Sequence, residues 1–323
     1  MNEDMMSTGA TKALHINTPL VESFTLSREN GKRIYLKMEN LQPVGSFKIR
    51  GIGLLCRRGK ESGAKHFISS SGGNAGYAAA YAGRKLGVET TVFVPTTTPP
   101  DSIRKIESQG ARVRVTGDVW DEADRAALEF SGKTGGLYIS PFDHPLIWEG
   151  HSTIVDEIAA EIERPDAVVL SVGGGGLLCG VAEGLERIGW ADVSVIAAET
   201  EGTASLAASL EQGRLVTLSE ITGVAKSLGA KTVAQKALDW AKIHPVRSLV
   251  VSDSDAIRAC ARFADDHRCL VEPACGASLA AAYDRKDALG EADTAVIIVC
   301  GGIGVDLSRL TQWIREASPS PEA

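Results

Sequence analysis

Aromatic residues are scarce in this chain of 323 residues, at 5% of the sequence, whereas glycine occurs 34 times and hydrophobic residues make up 44%. Few aromatic and many small residues disfavour an all-β sandwich and favour an α/β protein whose helices pack closely against sheets. The chain is long enough to bury a large hydrophobic core and to form two lobes.

The sequence also lacks a basic stretch, a long apolar run and a recognisable leader. Its net charge of −7 disfavours nucleic acid and anionic membrane surfaces as partners. The longest apolar run near the end of the chain, residues 295–300, is too short to span a bilayer. Residues 1–10 contain Glu3 and Asp4 and no apolar run, so we expect no signal peptide.

None of the six cysteines lies in a CxxC pair or in the spacing that Cys and His residues adopt at metal sites. Cysteines without such patterns are typical of reduced thiols, so we expect a cytoplasmic protein. The C-terminal residues 317–323 include Ser318-Pro319-Ser320-Pro321 and are expected to be disordered.

Short β-branched runs alternate with amphipathic, Ala- and Leu-rich segments from residue 33 onward. This alternation predicts parallel sheets with helices on both faces. The predicted strands are 33–38, 66–70, 90–94, 112–115, 167–172, 193–199, 248–251 and 294–299. The predicted helices are 47–58, 75–86, 101–109, 119–132, 147–163, 177–188, 203–212, 254–267, 276–285 and 307–316. We expect a small lobe of four βα units at residues 42–142 and a large lobe made of residues 1–41 and 143–323.

Lys48 lies in the segment Gly45-Ser46-Phe47-Lys48-Ile49-Arg50-Gly51, which opens a predicted helix. Ser46 stands where an N-cap is expected, so Lys48 falls in the first turn, where the helix dipole disfavours a cation. A surface lysine on a capped helix is one interpretation. The other is an amine kept near neutrality that attacks a carbonyl group.

Four consecutive glycines, Gly173 to Gly176, follow a predicted apolar strand and precede a predicted helix. Consecutive glycines expose backbone N–H groups at a helix N-terminus, which favours a phosphate-binding site. The GxGxxG pattern of dinucleotide sites fails because Leu178 or Cys179 stands at its last glycine, and a P-loop lysine is missing. A tight turn without a ligand is the alternative, but four glycines lose considerable chain entropy on folding.

Three further strand ends carry polar groups. Ser71-Gly72-Gly73-Asn74-Ala75 offers hydroxyl, amide and helix N-terminal groups that suit a carboxylate, although a turn capped by Asn74 fits equally well. Cys300 stands at the end of the last predicted strand, facing a ligand or buried as a small apolar residue. Glu199 and the oxygens that follow it suit a hard cation, or else a helix-capping turn.

Taken together, these segments resemble the fold type II pyridoxal-phosphate enzymes over nearly the whole chain, and within them the L-serine dehydratase and serine dehydratase-like family. Five ordered motifs carry the resemblance: residues 42–51, 70–76, 171–180, 272–277 and 299–302. The resemblance implies two parallel-sheet lobes with pyridoxal 5'-phosphate between them. It also implies β-elimination of L-serine to pyruvate and ammonia, L-threonine as a second substrate, and a homodimer.

The same resemblance implies a role for each matched residue. Lys48 would bind the cofactor covalently and then take the α-proton of the substrate. Cofactor contacts would come from Phe47 and Ser227 on the ring faces, Asn74 at the ring 3′-oxygen, Cys300 at the pyridine nitrogen, and Gly173, Gly174, Gly175, Gly176 and Leu177 at the phosphate. The substrate carboxylate would be bound by Ser71, Gly72, Asn74 and Ala75. A monovalent cation, expected to be potassium, would be held by Gly173, Glu199, Thr203, Ser205, Leu228 and Ala230.

The sequence departs from the family pattern after Cys300-Gly301-Gly302, where Ile303-Gly304 replaces the usual polar pair. We assign no carboxylic acid to the chemistry, which leaves the cofactor phosphate as the expected proton donor to the leaving hydroxide. Gly72 stands where related serine racemases carry a second proton donor, so we expect little racemisation. Threonine dehydratase, serine racemase and a catalytically silent cofactor-binding protein are the alternative functions.

Overall fold

The structure, a computed structural model, describes residues 12–317, and the last helix ends at Ala317, so residues 318–323 of the predicted tail lie outside the described part. Its helices are α1 Phe24–Asn30, α2 Lys48–Glu61, α3 Asn74–Leu86, α4 Pro100–Glu107, α5 Trp120–Thr134, α6 Pro145–Glu161, α7 Gly176–Arg187, α8 Ser205–Gln212, α9 Gln235–Ile243, α10 Asp253–His267, α11 Pro273–Tyr283 and α12 Leu307–Ala317. Within residues 12–317, no helix combines the length and apolar character that crossing a membrane requires.

The strands are β1 Leu20–Glu22, β2 Arg33–Lys37, β3 His66–Ser69, β4 Glu89–Val94, β5 Arg112–Val115, β6 Leu137–Ile139, β7 Ala167–Ser171, β8 Ser194–Thr200, β9 Val246–Val251 and β10 Thr294–Ile298. They form a six-stranded sheet in the order β1-β2-β10-β7-β8-β9 and a four-stranded sheet in the order β5-β4-β3-β6. All paired strands are parallel except β1 and β2. The four strands of the smaller sheet lie between residues 66 and 139; the lobe boundaries at 42 and 142 stay a prediction.

Helices cover both faces of the smaller sheet, as the alternating sequence pattern predicts. Val92 and Val94 of β4 pack with Ala80 of α3, whereas Phe93 packs with Ala123 of α5. Because successive side chains of a strand point to opposite faces, the two helices must lie on opposite sides of the sheet. Burial on both faces explains why the last three residues of β4, Val92 to Val94, are all apolar rather than alternating with polar residues.

α11 packs against the larger sheet, and all eleven of its residues are buried. Small residues dominate this helix, and a Cβ atom added at Gly276 would lie 2.1 Å from the carbonyl oxygen of Ala256 on α10. The two helix backbones therefore approach closely, as expected from the small residues along α11.

The predicted elements that the structure changes are short or locally ambiguous. β1, β6, α1 and α9 were not predicted, since three-residue strands carry almost no periodicity and α1 buries only Leu26. The predicted N-cap Ser46 is wrong: α2 begins at Lys48 with Phe47 as its N-cap. Ser46 instead forms a β-bridge with Gly301, so its backbone is already committed to another segment.

A buried ion network holds α2 in place, two residues beyond Lys48. The guanidinium of Arg50 donates to both carboxylate oxygens of Glu39 at 2.7 Å and to those of Glu157 on α6 at 2.7 and 2.8 Å. The amine of Lys37 lies 2.6 Å from a carboxylate oxygen of Glu157. Arg50, Glu39 and Lys37 are fully buried, so each charge relies on its partners rather than on water.

Replacing Arg50 by Met should lower the free energy of unfolding by about 3–5 kcal/mol, because Glu39 and Glu157 would remain buried with too few partners. Urea denaturation of the Arg50→Met variant measures this loss. The matched control is Arg58→Met, which removes the exposed ion pair between Arg58 and Glu61 and should change stability by less than about 0.5 kcal/mol. Equal losses for the two variants would contradict the role of the network.

Candidate active site

The loop that leads into α2 is hydrogen-bonded to the loop that follows β10. The N–H of Gly302 donates to the carbonyl of Gly45 at 2.9 Å, and the N–H of Phe47 donates to the carbonyl of Cys300 at 3.4 Å. Gly45 adopts a φ of +70°, which favours glycine at this turn. These contacts place Lys48, the first residue of α2, beside Cys300 at the carboxyl end of the larger sheet.

The amine of Lys48 donates to the carbonyl of Pro141 at 2.7 Å. Desolvation lowers the pKa of Lys48 to about 8, although the negative charges that Cys300 and Glu272 can carry act in the opposite direction. The residue as a whole keeps some solvent exposure. At neutral pH roughly a tenth of the amine is therefore neutral, which makes it a usable nucleophile and base.

The four glycines follow β7, and Gly175 caps α7 with a φ of +86°. A Cβ atom at any of the four would come within 3.0 Å of a neighbour: the backbone of Leu228 for Gly173, the ring of Phe142 for Gly174, Ala237 for Gly175, and the carbonyl of Phe142 for Gly176. Only glycine fits this turn. Because the first N–H groups of a helix have no intrahelical partner, the turn fits a phosphate group.

Pro141 and Phe142 connect the lysine to the glycine turn. Pro141 accepts the hydrogen bond of Lys48, and the next residue, Phe142, packs on Gly174 and Gly176. The carbonyl of Phe142 also accepts a hydrogen bond from the indole of Trp148 at 2.9 Å. Sequence reasoning missed this loop because it follows β6, a strand too short to be recognised.

Asn74 is the first residue of α3, and its amide is fixed on both sides. Its Nδ2 atom donates to Oε1 of Glu272 at 2.8 Å, while its Oδ1 atom accepts from the N–H of Ile303 at 2.8 Å. The interpretation of Asn74 as a helix cap is wrong, since the N-cap is Gly73 and the Asn74 amide is engaged across the cleft.

Glu272 is the main site residue that the sequence interpretation overlooked. It is buried and also accepts a hydrogen bond from the N–H of Gly304 at 3.1 Å. Burial raises the pKa of this carboxyl group, whereas hydrogen bonds from Ser227, Asn74 and the Gly304 backbone lower it. The expectation that no carboxylic acid belongs to the site is therefore corrected: the matched segment 272–277 supplies one.

The departure at Ile303-Gly304 is explained by the same contacts. The backbone N–H groups of these two residues donate to Asn74 and Glu272, so this side of the site keeps polar contacts without polar side chains at 303 and 304. Backbone donors are available from almost any residue type.

Cys300 and Phe47 complete the surroundings of the lysine. Cys300 is buried, and its hydrogen bond with Cys275 together with burial raises the pKa of its thiol, which keeps it neutral. The ring centroid of Phe47 lies 5.2 Å from the amine of Lys48, and its edge meets His151 at 4.9 Å between centroids. Ser227 lies in a 3₁₀ turn, Lys226–Leu228, next to the glycine turn.

The side chain of Thr98 packs against the loop before α3 at Gly72. A Cβ atom at Gly72 would lie 2.6 Å from the methyl group and 2.7 Å from the hydroxyl oxygen of Thr98. Ser71 accepts a hydrogen bond from the N–H of Gly73 at 3.3 Å, which folds the loop onto itself. Together with the N-terminus of α3 at Asn74 and Ala75, this loop presents hydroxyl and N–H groups that can bind a carboxylate.

The residues expected to hold a cation lie where β7 and β8 end. The carboxylate of Glu199 is fully buried and accepts the N–H groups of Leu206 and Ala207 at 2.8 Å each, and burial raises its pKa to about 7. The hydroxyl of Ser205 is buried without a protein partner. Thr203 bonds to Thr200.

The remaining expected ligands belong to the neighbouring turn. The backbone of Leu228 lies against Gly173, and the N–H of Ala230 donates to the carbonyl of Leu228 at 2.8 Å. Gly173 follows β7, the strand paired with β8, so it leaves the same sheet edge as Glu199. Within residues 12–317 no three His, Cys, Asp or Glu side chains gather into a metal cluster. A cation here would rely on one carboxylate with hydroxyl and carbonyl oxygens.

Comparison with known proteins agrees with this geometry. The family model described as "Pyridoxal-phosphate dependent enzyme" matches residues 12–301. The chain is 50% identical over 309 residues to "L-serine dehydratase/L-threonine deaminase" of Bos taurus, covering 93% of this chain and 94% of that protein. It is also 50% identical over 307 residues to "Serine dehydratase-like" of Rattus norvegicus, covering 92% and 93%.

Solved structures give the same result. An L-serine ammonia-lyase from the fungus Rhizomucor miehei matches with a TM-score of 0.91 and 37% identity, covering 95% of this chain and 100% of that chain. A maize serine racemase matches with a TM-score of 0.86 and 25% identity, covering 94% and 92%. The predicted fold class, a fold type II α/β protein, is confirmed.

The lowered pKa of Lys48 predicts how its reactivity depends on pH. Labelling by a small aldehyde and a reducing agent should accelerate about tenfold per pH unit below pH 8 and level off above it, because only the neutral amine reacts. Mass spectrometry of peptides from the cofactor-free protein follows the label, with the exposed Lys133 as an internal control. A midpoint near 10.5 at Lys48, as for an exposed lysine, would contradict the desolvated environment.

Proposed function

The chain belongs to the family of pyridoxal-phosphate dependent enzymes, and we propose that it is an L-serine ammonia-lyase. It converts L-serine to pyruvate and ammonia, and L-threonine to 2-oxobutanoate and ammonia as a second reaction. The names of two relatives support the two substrates, since the Bos taurus and Homo sapiens proteins, which cover 93% and 92% of the chain, are called L-serine dehydratase/L-threonine deaminase.

One observation carries the proposal: a lysine with a lowered pKa and a glycine turn at a helix N-terminus, which suits a phosphate group, both contact the same two-residue segment, Pro141 and Phe142. Pyridoxal phosphate has an aldehyde for an amine and a phosphate for a helix N-terminus. Lys48 would hold the first and Gly173 to Leu177 the second. The absence of any side chain in the glycine turn supports this fit.

When bound, pyridoxal phosphate supplies an electron sink for the bond that is broken at the substrate Cα. Lys48 supplies the base, because its amine is partly neutral at physiological pH and can take the α-proton. The neutral Cys300 thiol would face the pyridine nitrogen without adding charge, and Phe47 and Ser227 would contact the ring. Asn74 would donate to the ring oxygen.

The substrate carboxylate would be bound by Ser71, Gly72, Asn74 and Ala75. Backbone N–H groups at the start of α3 and the hydroxyl of Ser71 give this loop donors, and the first turn of α3 contains no acidic residue. A carboxylate held here leaves the amino group of the substrate free to approach the cofactor. The complete loop argues against a protein that binds the cofactor without turnover.

Gly72 and Thr98 favour elimination over racemisation. Racemisation requires a proton donor on the face opposite the lysine, and Gly72 has no side chain to supply it. The side chain of Thr98 fills the space that a larger residue at 72 would need. We therefore propose that inversion of serine is slow compared with pyruvate formation.

We also propose a potassium site, a homodimeric state and a cytoplasmic location. The buried hydroxyl of Ser205, which has no protein partner, and the buried carboxylate of Glu199 support the cation site with Gly173, Thr203, Leu228 and Ala230 as further ligands. Six unpaired cysteines support a reducing compartment. The homodimer rests on the resemblance to the family.

Replacing Lys48 by Ala should lower pyruvate formation from L-serine by at least about 1,000-fold, because both the covalent attachment and the base are lost. A coupled pyruvate assay with chiral analysis of the remaining serine measures both reactions. The control Lys133→Ala, at an exposed site, should match the wild type. Pyruvate from the Lys48 variant at a rate near that of the wild type would refute the assignment, and D-serine forming as fast as pyruvate would indicate a racemase.

Potassium should stabilise the protein through the proposed cation site. Adding about 100 mM potassium chloride in place of tetramethylammonium chloride should raise the free energy of unfolding by about 1–3 kcal/mol, as expected for an ion that binds only the folded state. The Glu199→Gln variant should lose this difference, because the site loses its negative charge. An equal response in wild type and variant, or none in the wild type, would count against the site.

A further inference from the structure

Glu272 immediately precedes α11 and lies at the meeting point of three segments of the site. Its carboxyl group accepts from the Asn74 amide of α3 and from the backbone of Gly304, which follows β10. A buried carboxyl group with a donor on each oxygen is a fixed acceptor, which holds the donors in one arrangement.

The hydrogen bonds of the Asn74 side chain leave one of its two amide N–H groups free. A side-chain amide has two N–H groups and one oxygen. Glu272 takes one N–H, and the N–H of Ile303 occupies the oxygen. This pattern also defines which way the amide is turned, because the nitrogen must face the carboxyl group and the oxygen must face Ile303. One N–H of Asn74 remains for a ligand.

The loop after β10 is shaped around the same carboxyl group. Gly302 adopts a φ of +136°, and a Cβ atom there would lie 1.9 Å from Cδ of Glu272. A Cβ atom at Gly304 would lie 2.9 Å from Oε2 of Glu272. Two glycines thus allow the backbone to pack directly on the carboxyl group, and the position of the loop depends on where Glu272 stands.

We propose, on the premise of the function above, that Glu272 is a positioning residue that orients Asn74 toward the cofactor ring and fixes the loop at 303 and 304. It acts through Asn74 rather than by its own contact with the substrate. Its charge also lies near the amine of Lys48, and the two groups affect each other's pKa in the direction of ionisation.

A double-mutant cycle on cofactor affinity tests the proposal. Glu272→Gln replaces one acceptor oxygen by an NH₂ group, which must face either Asn74 or the Gly304 N–H, so pyridoxal phosphate should bind about tenfold or more weakly and its visible absorbance band should move. In the Asn74→Ala background, the same substitution should weaken binding less than about threefold, because the residue through which it acts is gone.

A second variant probes the carboxyl group without removing it. Gly304→Ala should push Oε2 of Glu272 aside, with a smaller loss of affinity and a band shift in the same direction. Gly132→Ala, which meets no atom within 4 Å, is the matched glycine control, and Tyr283→Phe, at the far end of α11, controls for damage to the helix. Both controls should match the wild type in affinity and band position.

The outcomes separate this inference from the proposed function. Wild-type protein that binds no pyridoxal phosphate would overturn both. If the wild type binds pyridoxal phosphate and both Glu272→Gln and Gly304→Ala bind it within twofold of the wild-type affinity, the role of Glu272 alone is overturned. The same holds if the losses of affinity from Glu272→Gln and Asn74→Ala multiply as independent effects. If Glu272→Gln does not fold, as judged by circular dichroism, an unchanged affinity and absorbance band in Gly304→Ala decides against it.

Discussion

The hydrogen bond from the Lys48 amine to the Pro141 carbonyl is the interaction on which the rest of the site depends. Burial of the amine lowers its pKa to about 8, and the hydrogen bond ties α2 to the loop that packs on the glycine turn. An amine left in bulk water would be almost wholly protonated at neutral pH and could act neither as nucleophile nor as base. The reactivity of Lys48 therefore depends on the buried position of its amine, because an exposed lysine would not have it.

That placement requires rigid support from several directions. The Arg50 network anchors the first turn of α2 to Glu39 and to α6. The backbone hydrogen bonds of Gly45 and Phe47 attach the start of α2 to the loop after β10. Glu272 extends the support across the cleft to Asn74. The charges of Arg50, Lys37 and Glu39 are compensated by partners within the protein, which fixes the position of the helix that carries Lys48.

The sequence could predict those parts whose chemistry lies within one short segment. Lys48, the four glycines and the alternation of strands and helices were recognised because a few consecutive residues carry the signal. Glu272, Phe142 and Thr98 escaped because their importance comes from partners 198, 34 and 26 positions away in the chain, at Asn74, Gly176 and Gly72. The shift of the N-cap from Ser46 to Phe47 has the same origin, since the bridge to Gly301 overrides the local preference.

The contacts made by the backbone at Ile303 and Gly304 have a consequence for evolution. A side-chain contact is lost when its residue mutates, whereas an N–H group persists through every substitution except proline. Selection on this rim of the cleft can therefore act on loop conformation while leaving the identity of residue 303 largely free to drift. Sequence differences at residue 303 between relatives therefore need not change the hydrogen bonds that this loop donates.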